Sequence, residues 1–566
     1  MGIICFSCCD KVHTDKNHNE TNPNDTPRSA GSKDRLIDLK NRKKQNEEDF
    51  KNYSSPDIIK AGISTNLSLS KMSIADKDFT VKPENFISQN TNNPADSYEK
   101  ISFLGEGGFS QVFKVRHKIT SDYRAMKVIK RQSLNSCMNE TSIFDEINIL
   151  KTLDHPNIIK IYEFFQDLRN FYLITEYCEH GDLADNLVDD NNKLNVFLTE
   201  SVVCDIMKQL LSAIIYLHSQ NVIHGDLKLE NILVSNKSNS SKDLNYHRNM
   251  EIKLIDFGCS RFFKKDNALT DQINGTINYI APEALQGNLD KKNDIWSCGI
   301  IMYILLSGEF PFIGKSDTET IDLIEKGDYC FKPNSFNKIS NDAKDLIKLL
   351  MTFDYKTRID AKTALKHKWF KNKLEINLIK KEYLVEAMNN IKNFRNEHKF
   401  QQAVYTYITH NLIAKEDIEN LRKIFKQLDL DGNGRISKDE LQKGFKDSRG
   451  SILGELEIQN LMKSIDNDNN GYIEYEEFLK AALGNSNLLT NENLIQAFNV
   501  FDKDKSGDIS ADEIRSIIGG ETGIEDEAFN NFLNEIGLRN GECMNFEKFK
   551  NLLLNKLRRR HSSYIR

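Results

Sequence analysis

His224-Gly225-Asp226-Leu227-Lys228-Leu229-Glu230-Asn231 decides how this chain is read. An aspartate, a lysine two places on and an asparagine five places on share one short segment. Outward from it, other chemistry-bearing residues fall in a fixed order. Asp256-Phe257-Gly258 follows a short apolar strand, and Ala281-Pro282-Glu283 comes after it. On the N-terminal side, Gly105-Glu106-Gly107-Gly108-Phe109-Ser110-Gln111-Val112 follows a predicted strand. Glycines let a backbone turn come close to phosphates and aim its amides at them. By itself this loop reads equally well as an ordinary hairpin turn. Lys127, in Ala125-Met126-Lys127, falls on the next predicted strand but one, where an ammonium can pair with nucleotide phosphates. Glu146 falls on a following helix and can hold that ammonium.

Short apolar strands (112–115, 125–129, 172–175) come first, and helical patterns dominate after Glu200. That order fits an α+β, two-lobed domain ending near Phe370. Five motifs in the right order at the right spacings rarely coincide, and residues 98–370 resemble a eukaryotic protein kinase. The resemblance implies ATP and Mg2+ as cofactors and implies roles. Lys127 contacts the α/β-phosphates and Glu146 fixes Lys127. Asp256 and Asn231 hold Mg2+, Asp226 accepts the proton of the substrate hydroxyl, and Lys228 neutralises the transferring phosphoryl. The turn offers Gly105, Gly107 and Gly108. Leu104, Val112, Ala125 and Leu233 sandwich the adenine, while Glu176 and Cys178 supply hinge backbone groups beside Thr175. For the apolar members, simple core packing is an equal reading.

Lys228 and Gly275-Thr276-Ile277-Asn278-Tyr279 are similar to serine/threonine kinases rather than tyrosine kinases. Asp182 and Glu230 match acidic positions that recognise arginine in relatives preferring basic substrates. The resemblance therefore implies Arg or Lys three residues before the phosphoacceptor. Two residues depart from the pattern. Ser110 stands at the third glycine, the least demanding of the three, which touches ATP affinity rather than catalysis. Gly225 stands where an arginine usually pairs with a phosphate on the activation segment. A switch other than phosphorylation at Thr270 or Thr276 is expected.

Downstream, twelve-residue acidic loops begin at Asp429, Asp466 and Asp502, a spacing of 37 and then 36 residues. Acidic loops between apolar helices at one period suggest helix–loop–helix units. In the first, Asp429, Asp431 and Asn433 offer oxygens at positions 1, 3 and 5, and Gly434 makes the sharp turn. Arg435 gives its carbonyl, Ser437 takes the water-bridged place, and Glu440 binds bidentately, as an EF-hand requires for Ca2+. The second supplies Asp466, Asp468, Asn470, Tyr472, Glu474 and Glu477, and the third Asp502, Asp504, Ser506, Asp508, Ser510 and Glu513. Ile436, Ile473 and Ile509 occupy position 8, where neighbouring hands pair. A fourth hand is expected at 537–548, with Gly537, Arg539 and Gly541 at positions 1, 3 and 5 and Lys548 at 12. An alternative register makes Gly541 the turn glycine and puts Ile536 first, Leu538 third and Glu547 last. Neither builds a site, so a folded hand without calcium, packed on the third, is predicted.

A kinase followed by four hands is similar to the calcium-dependent protein kinases of plants and protists, over about residues 98–555. The resemblance implies a calcium-activated serine/threonine kinase. It implies domains at 98–370 (kinase), 374–412 (autoinhibitory junction) and 413–555 (calmodulin-like). Without calcium the junction is expected to block the substrate face; with calcium, opened hands expose apolar grooves that capture or rearrange it. Ile391, Phe394, Phe400, Ala403 and Val404 are anchors for that capture or members of a permanent interdomain core, two equal readings. A scaffold built on a dead kinase, or a calcium buffer, would not need Lys127, Asp226, Asn231 and Asp256.

The full chain has 566 residues and a formal net charge of −6. With a pI near 6.1, composition offers no argument for nucleic-acid binding. No apolar run approaches the roughly 18–20 residues that span a bilayer. Seven of the ten cysteines are scattered without paired metal-ligand spacing, as in reduced cytoplasmic proteins. The other three open the chain in Met1-Gly2-Ile3-Ile4-Cys5-Phe6-Ser7-Cys8-Cys9. Residues 1–9 resemble a doubly acylated start, which implies myristoylation at Gly2 and palmitoylation at Cys5, Cys8 or Cys9, hence membrane association. Residues 10–97, poor in aromatics and rich in Asn, Asp, Lys and Ser, read as a disordered linker. Residues 556–566 form a basic tail, with arginines three before Ser562 and Ser563; autophosphorylation there and a frayed charged end are both compatible with it. A monomer is expected.

Overall fold

The computed structural model describes residues 87, 89–90, 93–107, 110–134, 140–187, 198–236, 250–263, 276–371, 380–394, 399–413, 415–450, 453–518, 526–539 and 541–561. Gly2, the three N-terminal cysteines, Gly108, Thr270, Gly275 and the tail serines lie outside them.

A six-stranded sheet forms the first lobe: β1 (Gln89–Asn90), β2 (Tyr98–Glu106), β3 (Ser110–His117), β4 (Tyr123–Lys130), β5 (Ile161–Gln166) and β6 (Asn170–Glu176). Its order is β1-β5-β6-β4-β3-β2. β2 to β6 pair antiparallel, as hairpin chemistry favours. Alternation along β4 points Met126 and Val128 into a small outer cluster with Val115 and Ile174. The same period turns Lys127 to the opposite face, toward helix α1 (Glu140–Thr152).

β1 corrects one expectation. The end of the segment read as linker pairs parallel with β5, Gln89 opposite Phe164, and Ile87 is buried in the main core. Such a segment has too little apolar surface to order by itself. An existing sheet edge supplies unpaired backbone groups, and a strand can be recruited to it.

The second lobe is built on α2 (Glu200–Ser219) and α3 (Lys291–Ser307). Thr199 caps α2 by accepting from the Val202 amide. By length and composition α2 could cross a membrane, the only such helix among the described residues, yet most of it is buried in this lobe. α3 is buried nearly all round, begins with an Asp290–Asn293 capping box and ends at Gly308 in the left-handed region. Between them come β7 (Val222–Ile223), β8 (Ile232–Asn236) and β9 (Glu251–Leu254), with β8 and β9 paired so that Leu233 faces Lys253.

The junction is two helices, α4 (Lys381–Asn393) and α5 (Lys399–Asn411). The hands follow: α6 (Lys415–Leu428) and α7 (Lys438–Arg449), α8 (Glu455–Ile465) and α9 (Tyr475–Leu483), α10 (Asn491–Phe501) and α11 (Ala511–Ile518), α12 (Asp526–Glu535) and α13 (Phe546–His561). Ile436 pairs with Ile473, and Ile509 with Met544, so the hands form two pairs. The backbone of α13 runs on into the basic tail as far as His561. One apolar core holds both pairs and the junction: Ile391, Phe394, Phe400, Ala403 and Val404 are all buried in it.

Candidate active site and calcium loops

In the cleft between the lobes, Lys127 Nζ lies 2.9 Å from Glu146 Oε1 and 3.1 Å from Asp256 Oδ1. Burial works against its charge, but Asp256 and Glu146 hold the ammonium well above the usual lysine range. In return, Lys127 pulls Asp256 down to about 2, so this carboxylate is ionised and part-exposed toward the cleft. Asp256 sits in the left-handed region at φ 63°, uncommon for a residue with a side chain. Phe257 is buried against His224, ring centroids 5.0 Å apart, and His224 Nε2 meets the Ile255 carbonyl at 3.1 Å. These contacts hold the turn that presents Asp256.

Asp226 is held from several sides. Its Oδ2 is 2.8 Å from Lys228 Nζ. Its Oδ1 accepts from the backbone N–H and the hydroxyl of Thr276, each at 3.0 Å. Asn231 Nδ2 donates to the Asp226 carbonyl at 2.8 Å and to Oδ2 at 3.2 Å. Asn231 thereby keeps its amide oxygen available for a cation. Lys127, Glu146, Asp256, Asn231, Asp226 and Lys228 thus form two adjoining clusters of alternating charge around one cleft. An ionised Asp256 and an oriented Asn231 fit a divalent cation, and Lys127 fits a phosphate.

Of the expected adenine residues, Val112 pairs in register with Lys127 and Ala125 lies two places before it on the same strand. Val112, Ala125, Thr175 and Leu233 are half-buried, Leu104 is exposed and Cys178 is buried. Ala125 pairs in register with Thr175, beside Glu176 in the hinge. The Gly107 amide donates to the Ser110 carbonyl at 2.7 Å. Gly105 pairs with Val112 at its base.

Sequence reasoning assigned no role in the site to four residues that hold it. Thr276 steers Asp226 and Lys228, the latter at 3.0 Å. Asp294, at the start of α3, accepts from the His224 and Gly225 amides at 3.0 Å and faces His218 Nε2 at 2.9 Å. Glu283 and Arg358 make a buried bidentate pair at 2.6 and 2.9 Å. An acidic residue near a helix start is too common a signal to single out Asp294. Arg358 lies 75 residues from its partner.

Gly225 takes φ +80°, and a Cβ there would sit 3.0 Å from the Cys259 carbonyl oxygen. The local backbone therefore suits glycine, and a longer side chain would strain it.

Each of the first three calcium loops gathers its acids. Asp429, Asp431 and Glu440, then Asp466, Asp468 and Glu477, then Asp502, Asp504 and Glu513 bring ligand oxygens within 4.8 Å of one another. The position-1 aspartates accept from the turn glycines: Gly434 N to Asp429 at 2.8 Å, Gly471 N to Asp466 and Gly507 N to Asp502 at 2.9 Å. Asn433 and Asn470 accept from the amides of Arg435 and Tyr472, and the Asp508 carbonyl accepts from Ser506. Burial, with nearby Glu440 and Asp431, raises Asp429 to about 7, and burial raises Glu477 to about 8. Such crowded acids fit a cation that offsets their repulsion.

The fourth loop is folded without that chemistry. Ile509 faces Met544, and Asn545 Oδ1 caps α13 by accepting from Lys548 N at 2.9 Å. This places Gly537 first and Lys548 last, and sets aside the register ending at Glu547. Gly541 still takes φ +87°. The Lys548 ammonium lies 3.8 Å from Glu542, an internal charge pair in place of an acid cluster.

The sensor seats on the kinase domain away from the cleft. Arg422 of α6 pairs with Glu251, and Lys426 reaches Gln209 at 3.1 Å. Glu476 of α9 meets Lys160 at 2.6 Å and His410 at 2.7 Å, and its amide donates to Asp154 at 2.7 Å. Arg435 lies over the Tyr216 ring, 5.2 Å from its centroid. A Cβ on Gly434 would run into the His155 ring.

Comparison with known proteins agrees with this arrangement. Residues 98–370 match the protein kinase domain, 418–483 an EF-hand domain pair and 493–523 an EF-hand domain. Calcium-dependent protein kinase 4 of Plasmodium falciparum (isolate 3D7) is 37% identical over 489 residues, 84% of this chain and 89% of the relative. The protein of the same name from Plasmodium berghei (strain Anka) is 36% identical over 490 residues, with the same coverage. Calcium-dependent protein kinase 5 of Plasmodium falciparum (isolate 3D7) is 36% identical over 478 residues, 83% of this chain and 80% of the relative. With likeness running through both the catalytic cleft and the calcium loops, this chain belongs to the calcium-dependent protein kinases and is a calcium-activated serine/threonine kinase.

Proposed function

We propose that calcium activates this kinase by closing the sensor around the junction and seating it behind the catalytic domain, so that the junction cannot cover the substrate face. The observation that supports this is the burial of Ile391, Phe394, Phe400, Ala403 and Val404 among the hands. A helix pair so enclosed is not available to occupy the cleft. In the calcium-free protein, loss of this enclosure frees the junction to block substrate.

ATP and Mg2+ supply the phosphoryl group and neutralise its charge. Lys127, fixed by Glu146, binds the α/β-phosphates. Asp256 and Asn231 hold the cation. Asp226, oriented by Thr276 and Asn231, takes the proton from the substrate hydroxyl, while Lys228 faces the moving negative charge. Three loops bind Ca2+, with Arg435, Tyr472 and Asp508 contributing carbonyls.

Protein substrates carry Arg or Lys three residues before the target serine or threonine. Glu230 supports this reading: one of its carboxylate oxygens is buried without a hydrogen-bond partner, and burial raises its pKa. An arginine would satisfy both. Activation does not depend on an activation-segment phosphate, because Gly225 offers no cation to receive one. Acylation at Gly2 and a nearby cysteine attaches the cytoplasmic enzyme to a membrane.

Phosphorylation of a peptide with arginine at −3 by the full-length protein, with calcium or with a chelator, tests the proposal. Activity in calcium, its loss on chelation and its absence in Asp226→Asn are expected. Activity unchanged by chelation would overturn the calcium mechanism.

A further inference from the structure

Several of the sensor's and junction's contacts with the kinase domain lead to one hinge residue, Glu176. Arg422 pairs with Glu251, the first residue of β9, and both side chains are buried. Two residues on, Lys253 faces Leu233 in register, and its ammonium lies 2.7 Å from the Glu176 carboxylate in the hinge. The Glu176 amide donates to the Lys160 carbonyl at 2.9 Å. The Lys160 ammonium is held by Glu476, and the next carbonyl, Ile161, receives His410 Nε2 at 3.0 Å. On the remaining side Arg124, in register with Glu176, donates to the Asn411 carbonyl at 3.3 Å.

β4, β5 and β9 therefore each carry a sensor or junction contact, and each also touches Glu176 or its neighbours. None of Arg422, His410 or Glu476 is placed to touch nucleotide. Their common effect is to set how the hinge lies against the adenine floor. Two of them also lie close to the calcium ligands in the chain. Glu476 precedes Glu477, the last ligand of the second loop, and Arg422 is on the helix that runs into Asp429, the first ligand of the first loop.

We infer that Arg422, His410 and Glu476 are positioning residues for the nucleotide, coupling calcium in the first pair of hands to ATP at the hinge, so that each ligand tightens the other. This rests on the seated sensor proposed above and adds to it a binding linkage that release of the substrate face does not require. Calcium that fixes the first pair fixes these contacts, and a hinge already held in place loses less freedom when adenine binds. Linkage is reciprocal: the factor by which calcium improves nucleotide affinity is the factor by which nucleotide improves calcium affinity.

Titration calorimetry of calcium into the full-length protein, with and without saturating Mg-ADP, tests this without turnover. Mg-ADP is expected to tighten calcium binding about fivefold or more. Arg422→Ala should bind the same number of calcium ions with that factor reduced toward one, and should raise KM for ATP by more than it lowers kcat. Arg422→Lys, which keeps the charge, should recover much of the linkage. Glu251→Gln removes the same pair from the kinase side and decides the matter if Arg422→Ala melts early. Equal calcium affinity with and without Mg-ADP in the unaltered protein would overturn the inference, as would a fall in kcat alone in both variants. Calcium-dependent phosphorylation in the same preparation would show that the seated-sensor proposal stands even then.

Discussion

The two pairs of hands share one motif and do different work. Among the described residues, the hydrogen bonds and ion pairs joining sensor to kinase domain come from the junction and the first pair. The second pair holds the start of α5, where Phe400 meets the rings of Phe501, Phe532 and Phe549. Acid chemistry follows the same division. Asp429 and Glu477 are pushed up chiefly by burial, while Asp504 and Glu513 are lowered, Asp504 through hydrogen bonds from Ser506 and Glu513 through those from Ser510 against its burial. A calcium loop pressed against another domain loses solvent that a free loop keeps. The position of a hand, not its ligand list, decides whether it docks or clamps.

The largest effect should come from the clamp. Phe400→Ala removes a fully buried ring and should destabilise the sensor by about 3–5 kcal/mol, read as a lower melting midpoint in calcium. A loss near that of an exposed substitution would break the assignment of the second pair as the clamp.

Next is ligand removal. Glu440→Gln with Glu477→Gln should cut calcium activation by about 5- to 150-fold, the usual span of a coupling free energy. Glu513→Gln should shift the calcium midpoint with less loss of maximal activity. Equal losses would erase the distinction between docking pair and clamping pair.

A paired glycine exchange sharpens it further. Gly434→Ala and Gly507→Ala both force alanine into the left-handed region, at about 1–2 kcal/mol. Only the first also drives a methyl into His155; around Gly507 nothing lies within 4 Å. Stability of the ion-free protein should fall for both, and calcium-stimulated turnover should fall further for Gly434→Ala.

The last is pH. Calcium needs ionised ligands, and Asp429 at about 7 and Glu477 at about 8 still hold protons at and below those values. Affinity of the first pair should therefore rise with pH between about 6 and 8, by up to about tenfold per unit for each displaced proton. The third loop should vary little over that range. The ion-free fold has the opposite sign. Carboxyls with raised folded pKa values favour it at low pH, and that stability is lost as pH climbs from about 4 toward 7 and 8. Calorimetry at several pH values reads both.

Much of the site was legible because its chemistry is local. Asp226, Lys228 and Asn231 lie within six residues and come together through one turn. The calcium ligands are set by a twelve-residue loop whose spacing is its geometry. Residues that act across the fold left no such mark. Thr276 reaches Asp226 from 50 residues away, Arg358 reaches Glu283 from 75, and Arg422 reaches Glu251 from 171. β1 left no mark in the sequence because a weak segment ordered by a neighbour's edge has no period of its own.

The amino-acid order alone determined the two-lobed catalytic domain, the three acid loops and the fourth loop without acids, since period and spacing encode local backbone geometry. Tertiary structure alone decided where the sensor sits, which pair of hands faces the kinase domain, and that the junction lies inside the sensor. Burial and long-range charge pairing settle those questions, and neither is a property of residues near one another in the chain.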